Sequence, residues 1–269
     1  MRWLRWSVVP APLVALALLL HLNGLLPAIV PAGSGPGGFS HLAQVLSGVD
    51  RHGRLPPAQL ERLGPELTAQ LEVLAWDGPT TRPQAYASDD ERLAYWLNAY
   101  LTLGLARARS LGDGASAVSR LRYELGESWP VDGARLTLAT LERRHLSALG
   151  DPRVTFALAC GRDDCPAADG APFVAGTLDA QLNDAVRRYV RVPAHFRLQG
   201  KVAHVSALLK AHEPELVAAL PERQGSLLHF VWAFLPDACD EVPGCDTRGA
   251  LDLACGPRLD RCTVVADGR

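Results

Sequence analysis

The sequence predicts a helix-rich α+β fold, a single domain with a small, mostly antiparallel sheet, an N-terminal signal segment and a disulfide-clipped C-terminal tail. Three observations carry this expectation. The stretch "ERLAYWLNAYLTLGLARAR", residues 91–109, is apolar nearly all round, as a helix buried on most faces must be. "RVTFALA", residues 153–159, alternates with period two, and "HFRLQGKVAHV", residues 195–205, reads as two short strands about Gly200. Finally, 48% of the 269 residues are hydrophobic and 21% charged, which is enough apolar material for a substantial core.

The elements follow in order. "GSGPGG" at 33–38 is a flexible linker by composition. Phe39, Leu42 and Leu46, then Leu67, Leu71 and Leu74, recur at helical spacing, with Gly64-Pro65 interrupting the second stretch. "GPTTRP" is a turn. Ser88 and Glu91 form a capping box, in which the serine hydroxyl accepts from the Glu91 amide and the glutamate returns the bond. "GARLTL" is a short strand, after which Thr137 caps a helix over 138–149 that Gly150 stops. The strand over 153–159 then delivers Cys160. Thr177 caps a helix over "LDAQLNDAVRRYV", and Ser206 caps another that Pro214 interrupts. "SLLHFVWAFL" is the last helix expected. From Pro236 onward the chain is rich in Gly, Pro and Cys, and the tail is expected to depend on disulfides rather than burial. The domain plan is therefore a signal peptide at 1–32, a linker and N-terminal helices at 33–87, a core domain at 88–235 and a Cys-rich tail at 236–269.

Localisation is read from the first 32 residues. Arg2 and Arg5 precede an apolar run from Leu13 to Leu20, and Val30-Pro31-Ala32 places small residues where a signal peptidase reads. Spanning a bilayer takes about 20 apolar residues, and Pro10, Pro12, His21, Asn23 and Pro27 interrupt this stretch. Cleavage after Ala32, with release to the periplasm or the exterior, is the expectation; an uncleaved segment associating with the membrane is the alternative. Loss of Arg2 and Arg5 takes the 27 basic residues to 25 against 29 acidic ones, a mature charge of −4. No basic surplus points to nucleic acid. Arginine outnumbers lysine throughout, with Lys201 and Lys210 the two lysines, a usage that points to GC-rich, bacterial coding. Outside the cytoplasm thiols oxidise, so Cys160, Cys165, Cys239, Cys245, Cys255 and Cys262 are all disulfide candidates.

"LAYWLNAYLTL" (93–103), "LTLATLE" (136–142), "DPRVTFALACGRDDCP" (151–166), "TLDAQLNDAVRRYV" (177–190) and "VSALLKAHEPEL" (205–216) resemble, in order and spacing, the domain-of-unknown-function 547 family. Trp96, Asn98, Tyr100, Glu142, Cys160, Cys165 and Pro166 match its pattern. The resemblance implies a match over about 88–235. It implies no established activity, with a papain-like or transglutaminase-like cysteine chemistry as a conceivable extension. The chain departs from the pattern at Leu101 and Ala159, where the family usually has Asn, and at Thr155 and Arg143, where it commonly has His.

Two function classes remain. The first is an envelope protein that binds a partner protein or small ligand without catalysis, in a pocket between the central helix and the cysteine loop, with Trp96, Asn98, Tyr100, Glu142 and Cys160 as pocket or structural residues. The second is a cysteine-dependent hydrolase or acyl transferase using Cys165 with His204 as base, His204 lying on a hairpin that could pair beside the cysteine strand. Asp163 and Asp164 would raise the Cys165 thiol and Arg162 partly offsets them. A disulfide between Cys160 and Cys165 is the structural reading of the same pair. Asn98 is weighed as a core amide bonding a backbone carbonyl, Glu142 as a surface ion pair, and Trp96 and Trp232 as core. Cys160 and Cys165 fit the C-x2-4-C spacing of zinc sites loosely, the tail cysteines do not resemble a zinc ribbon, and no metal and no cofactor is expected.

Overall fold

The computed structural model describes residues 38–50, 55–111, 127–158, 166–220, 225–238, 244–256 and 258–267. The expected signal segment, Cys160, Cys165 and Cys239 lie outside the described residues. Helix α1 (Ser40–Leu46), α2 (Pro57–Arg62) and α3 (Gly64–Trp76) precede the long central helix α4 (Asp89–Leu111). The Ser88–Glu91 capping box opens α4: the Glu91 amide donates to the Ser88 hydroxyl at 3.2 Å, and the Ser88 amide donates to the Glu91 carboxylate at 2.8 Å. Its residues from Leu93 to Gly104 are all buried.

A hairpin of β1 (Trp129–Val131) and β2 (Ala134–Leu136) follows. Its turn, Asp132-Gly133, has φ of 51° and 76°; positive φ at both central residues matches the twist of the flanking strands. The turn also finishes α3. The Asp132 and Gly133 amides donate to the Leu74 and Ala75 carbonyls, which sit in the last turn of that helix and have no partner within it. The Asp132 carboxylate in turn accepts from the Thr80 and Thr81 amides at 2.7 and 2.8 Å.

Thr137 caps α5 (Leu138–Leu141), which widens into a π-helical turn over Glu142–Leu146, tightens over Ser147–Leu149 and stops at Gly150, φ 75°. After the next segment come α6 (Leu178–Val190), β3 (Phe196–Gln199), β4 (Val202–Ser206), α7 (Ala207–Ala211) and α8 (Glu213–Ala218). Gly200 turns the β3–β4 hairpin at φ 62°, Ser206 caps α7, and Pro214 starts α8. Helix α9 (Leu227–Phe234), α10 (Arg248–Cys255) and β5 (Thr263–Asp267) complete the described chain.

Several expectations need correction. The strand expected over 153–159 is not seen in its described part, residues 153–158: Pro152–Phe156 is a 3₁₀ helix. The Asp151 carboxylate accepts from the Arg153 amide, and Pro152 supplies a helical φ at the first position, so the local cap outweighs the alternating pattern. Helix α6 is present, but Thr177 does not cap it with its side chain; the Thr177 hydroxyl donates to the Val174 carbonyl instead. Trp232 is 36% exposed, under the Arg248 guanidinium, rather than core. Nor is α9 the last helix. The tail buries Leu251, Cys255 and Leu259 in the same core as Leu42 and the central helix, and adds β5 in parallel to β4. The sheet content is thus a two-stranded antiparallel hairpin and a three-stranded mixed sheet of order β3-β4-β5.

Candidate functional site

The chain between Leu141 and Ala219 builds a groove of about 550 Å³. Its near wall is the π-helical turn, which carries Glu142 and Leu146, then Ser147 and Gly150. Its floor is the 3₁₀ helix with Asp151, Pro152, Val154 and Thr155, continued by Leu158. Its far wall comes from His212 and α8, with Glu215, Ala218 and Ala219. Each wall has a local cause. Gly150 in the left-handed region releases the chain from the preceding helix. Arg153 then locks the floor: its guanidinium donates to Asp151 at 2.7 Å, to Asp179 at 2.8 Å and to Asn183 at 2.7 Å, tying the 3₁₀ helix to α6. On α8, Leu216 is fully buried while His212, Glu215 and Ala219 recur at three- and four-residue spacing on the groove side. An apolar floor with polar groups at its edge, at this volume, is the form small-molecule sites take.

Among the residues singled out in the sequence, Glu142 lines this groove. Trp96, Asn98 and Tyr100 do not; they lie buried on α4. Trp96 packs edge-on to Tyr95 at 4.9 Å and face to face with His145 at 3.8 Å. Removal from water lowers the His145 pKa from its ordinary value, with Arg144 pushing the same way and Asp132 opposing. The Asn98 amide is committed to backbone: it donates to the Phe173 carbonyl at 2.9 Å and accepts from the Phe173 amide at 2.8 Å. Gln181 does the same from the other side, accepting from the Val174 amide and donating to the Pro172 carbonyl. Two side-chain amides thereby hold residues 172–174 as neighbouring strands would.

His204 sits on β4 with both edges of that strand taken, by β3 and by β5. Residues 152–156, expected as the strand leading to Cys160, are a 3₁₀ helix, and the cysteines that follow lie outside the described residues. Ala203 and Val205 point into the core; His204 is on the opposite face. There its Nδ1 meets Asp267 at 2.9 Å, and Arg197 pairs with the same carboxylate. The hydrogen bond to His204, with the charge of Arg197, holds the Asp267 carboxyl below its usual value. Cys255 and Cys262 form a disulfide and Cys245 is also disulfide-bonded. Among the described residues no group of three or more His, Cys, Asp or Glu side chains could hold a metal ion.

Asp151, Thr155, His212 and Glu215 were not singled out as functional residues. The His212–Glu215 spacing was the signal available, since residues three apart on a helix share a face. What it could not give was the facing wall, more than 50 positions away in the chain.

The geometry defines a helix-rich α+β protein with a groove built on the turn that packs against its central helix. The family model described as "Protein of unknown function, DUF547" matches residues 84–190, and the chain is a DUF547 domain-containing protein. The matched region ends with α6, short of the expected boundary at 235. No curated protein and no solved structure matches the chain.

Proposed function

We propose that this is an exported protein that binds a small ligand in the 142–219 groove without catalysing a reaction. The observation that carries the reading is the groove itself, about 550 Å³ with Leu146, Val154 and Leu158 as an apolar base. Thr155 lies in it at the position where the family commonly has His, which supports binding over chemistry. Export is supported by the basic start and short apolar core of residues 1–32. The disulfide between Cys255 and Cys262, a bond that persists in oxidising compartments, supports it too. No helix among the described residues is long and apolar enough to cross a membrane.

The test of the groove uses Nile red, a neutral apolar dye. Saturable one-to-one fluorescence enhancement is expected. Ala218→Trp, at an exposed position on the groove wall, should abolish it while leaving Tm within about 2 °C, because surface changes move stability little. Undiminished dye binding by Ala218→Trp overturns the site. N-terminal sequencing of envelope-fraction protein should begin at Gly33; a full-length chain resisting carbonate extraction overturns cleavage in favour of an anchor.

One observation favours a second reading, a cysteine-dependent hydrolase or acyl transferase using Cys165. Asp267 holds His204 by Nδ1, an arrangement that orients an imidazole as a general base. Rapid stoichiometric labelling of Cys165 by a thiol probe near neutral pH would put this reading first.

A further inference from the structure

We infer that β5 is a self-pairing edge: the strand Thr263–Asp267 joins the same strand of a second copy of this chain, antiparallel about a two-fold axis at Val265. In the mixed sheet β5 lies outermost and runs parallel to β4. The Thr263 amide donates to the Lys201 carbonyl at 3.0 Å, one residue before its register partner Val202. Alternate residues of a strand turn their backbone groups to the same side, so Thr263, Val265 and Asp267 serve β4. Val264 and Ala266 turn their amides and carbonyls outward, where none of the described residues bonds them. The opposite edge of the sheet is closed, since the Asp246 carboxylate accepts from the Leu198 amide of β3 at 2.6 Å. β5 lacks the usual guards of an open edge. It has neither proline nor lysine, its register with β4 runs without a bulge, and Asp267, its one charge, is held by His204 and Arg197. Thr263, Val265 and Ala266 are exposed, Val265 by 41%. The Cys255–Cys262 disulfide ties the start of the strand to α10.

The strand's own sequence selects a second copy as the occupant. With Val265 on the axis, Val264 faces Ala266 of the second copy, and Ala266 faces its Val264. Each is a hydrogen-bonded pair, in which the two residues exchange both N–H···O=C bonds, so every outward amide and carbonyl of both edges finds a partner. Registers centred on Val264 or Ala266 keep only one such pair within the strand. On the outer face Val265 meets Val265 across the axis, a β-branched pair that covers an exposed side chain, and Thr263 meets Asp267. No like charges stand opposite one another. The two sheets become one of six strands, in the order β3-β4-β5-β5-β4-β3. The contact is short, which places it among the small interfaces, under about 1,200 Å², that associate weakly.

The test follows mass and edge protection in the purified full-length protein from about 10 μM to about 1 mM, the range in which weak association shows. Sedimentation equilibrium should find the average mass rising toward, and not past, twice the monomer. At a dissociation constant of about 100 μM, the Val264 and Ala266 amides should exchange with solvent about fourfold more slowly at the top of that range than at the bottom. Ala266→Pro removes an N–H that the monomer leaves unpaired, at an edge position that accepts proline. It should stay monomeric throughout, with Tm within about 2 °C of the wild type. Val265→Lys and Val265→Glu each set like charges opposite on the axis and should each be monomeric, while an equal mixture of the two should dimerise again. A wild type that stays monomeric to 1 mM, with both amides unchanged, overturns self-pairing and leaves the edge to a strand of another protein. A dimer that survives Ala266→Pro or Val265→Lys, or a mass that grows past the dimer, also overturns it. A mixture of the two charge variants that stays monomeric overturns the register at Val265.

Discussion

Asn98→Leu isolates what the central helix does for the segment that follows the cysteine loop. Asn98 is 1% exposed, and its amide both donates to and accepts from Phe173, itself buried. Leucine fills nearly the same volume but can do neither. The Phe173 N–H and C=O are then left in an apolar interior with no partner, at about 1–3 kcal/mol each. The added apolar burial returns part of that, so the net loss should be about 3 kcal/mol. For a chain of this size that is a fall in Tm of about 6–12 °C. Native-state hydrogen exchange gives the specific readout: the Phe173 amide should lose protection well beyond the global change. Gln181→Leu makes the parallel change on the exposed side, where Val174 is 57% exposed and water can replace the lost bonds. It should cost less than about 1 kcal/mol. If Asn98→Leu lowers Tm by less than about 2 °C with Phe173 exchange unchanged, the account of residues 172–174 as a segment held between two amides is refuted.

Other outcomes are expected. Burial lowers the His145 pKa, so the unfolded chain protonates first; the stability contribution is complete above the ordinary value of 6.5 and declines as pH falls through it toward the folded value. His145→Phe should therefore flatten the dependence of Tm on pH between about 7.5 and 5, and an unchanged slope would show that the ring is already solvated. Cys255→Ser opens a short loop and should cost about 2.5 kcal/mol on the chain-entropy account, while non-reducing peptide mapping should recover Cys255 joined to Cys262. If Cys160 and Cys165 are bonded to each other, Cys160→Ser and Cys165→Ser should lose similar stability, about 2 kcal/mol, since each removes the same link. A large asymmetry, with thiol labelling confined to Cys165, would argue for a nucleophile instead.

What the sequence by itself determined was whatever depends on neighbours in the chain. The Ser88–Glu91 box, the Thr137 and Ser206 caps, the stops at Gly150 and Pro214 and the turn at Gly200 are each closed by groups within a few residues, so residue type and spacing suffice to place them. The burial of α4 was legible too, because a helix apolar all round has no face to give to water. The tertiary structure decided the rest. "RVTFALA" alternates as a strand does, but an Asp151 cap, Pro152 and the reach of Arg153 to α6 wind Pro152–Phe156 into a 3₁₀ helix, and no periodicity encodes that competition. The tail looked too poor in apolar residues to pack. It packs through Leu251 and Leu259 together with the Cys255–Cys262 disulfide, with α10 docked on the core and β5 on the open edge of β4. The groove is the clearest case. Glu142 and Glu215 are 73 residues apart, and only the packing of α8 over the 3₁₀ helix sets them across one cavity. Loop closure over such a span depends on the whole core, and local sequence carries no record of it.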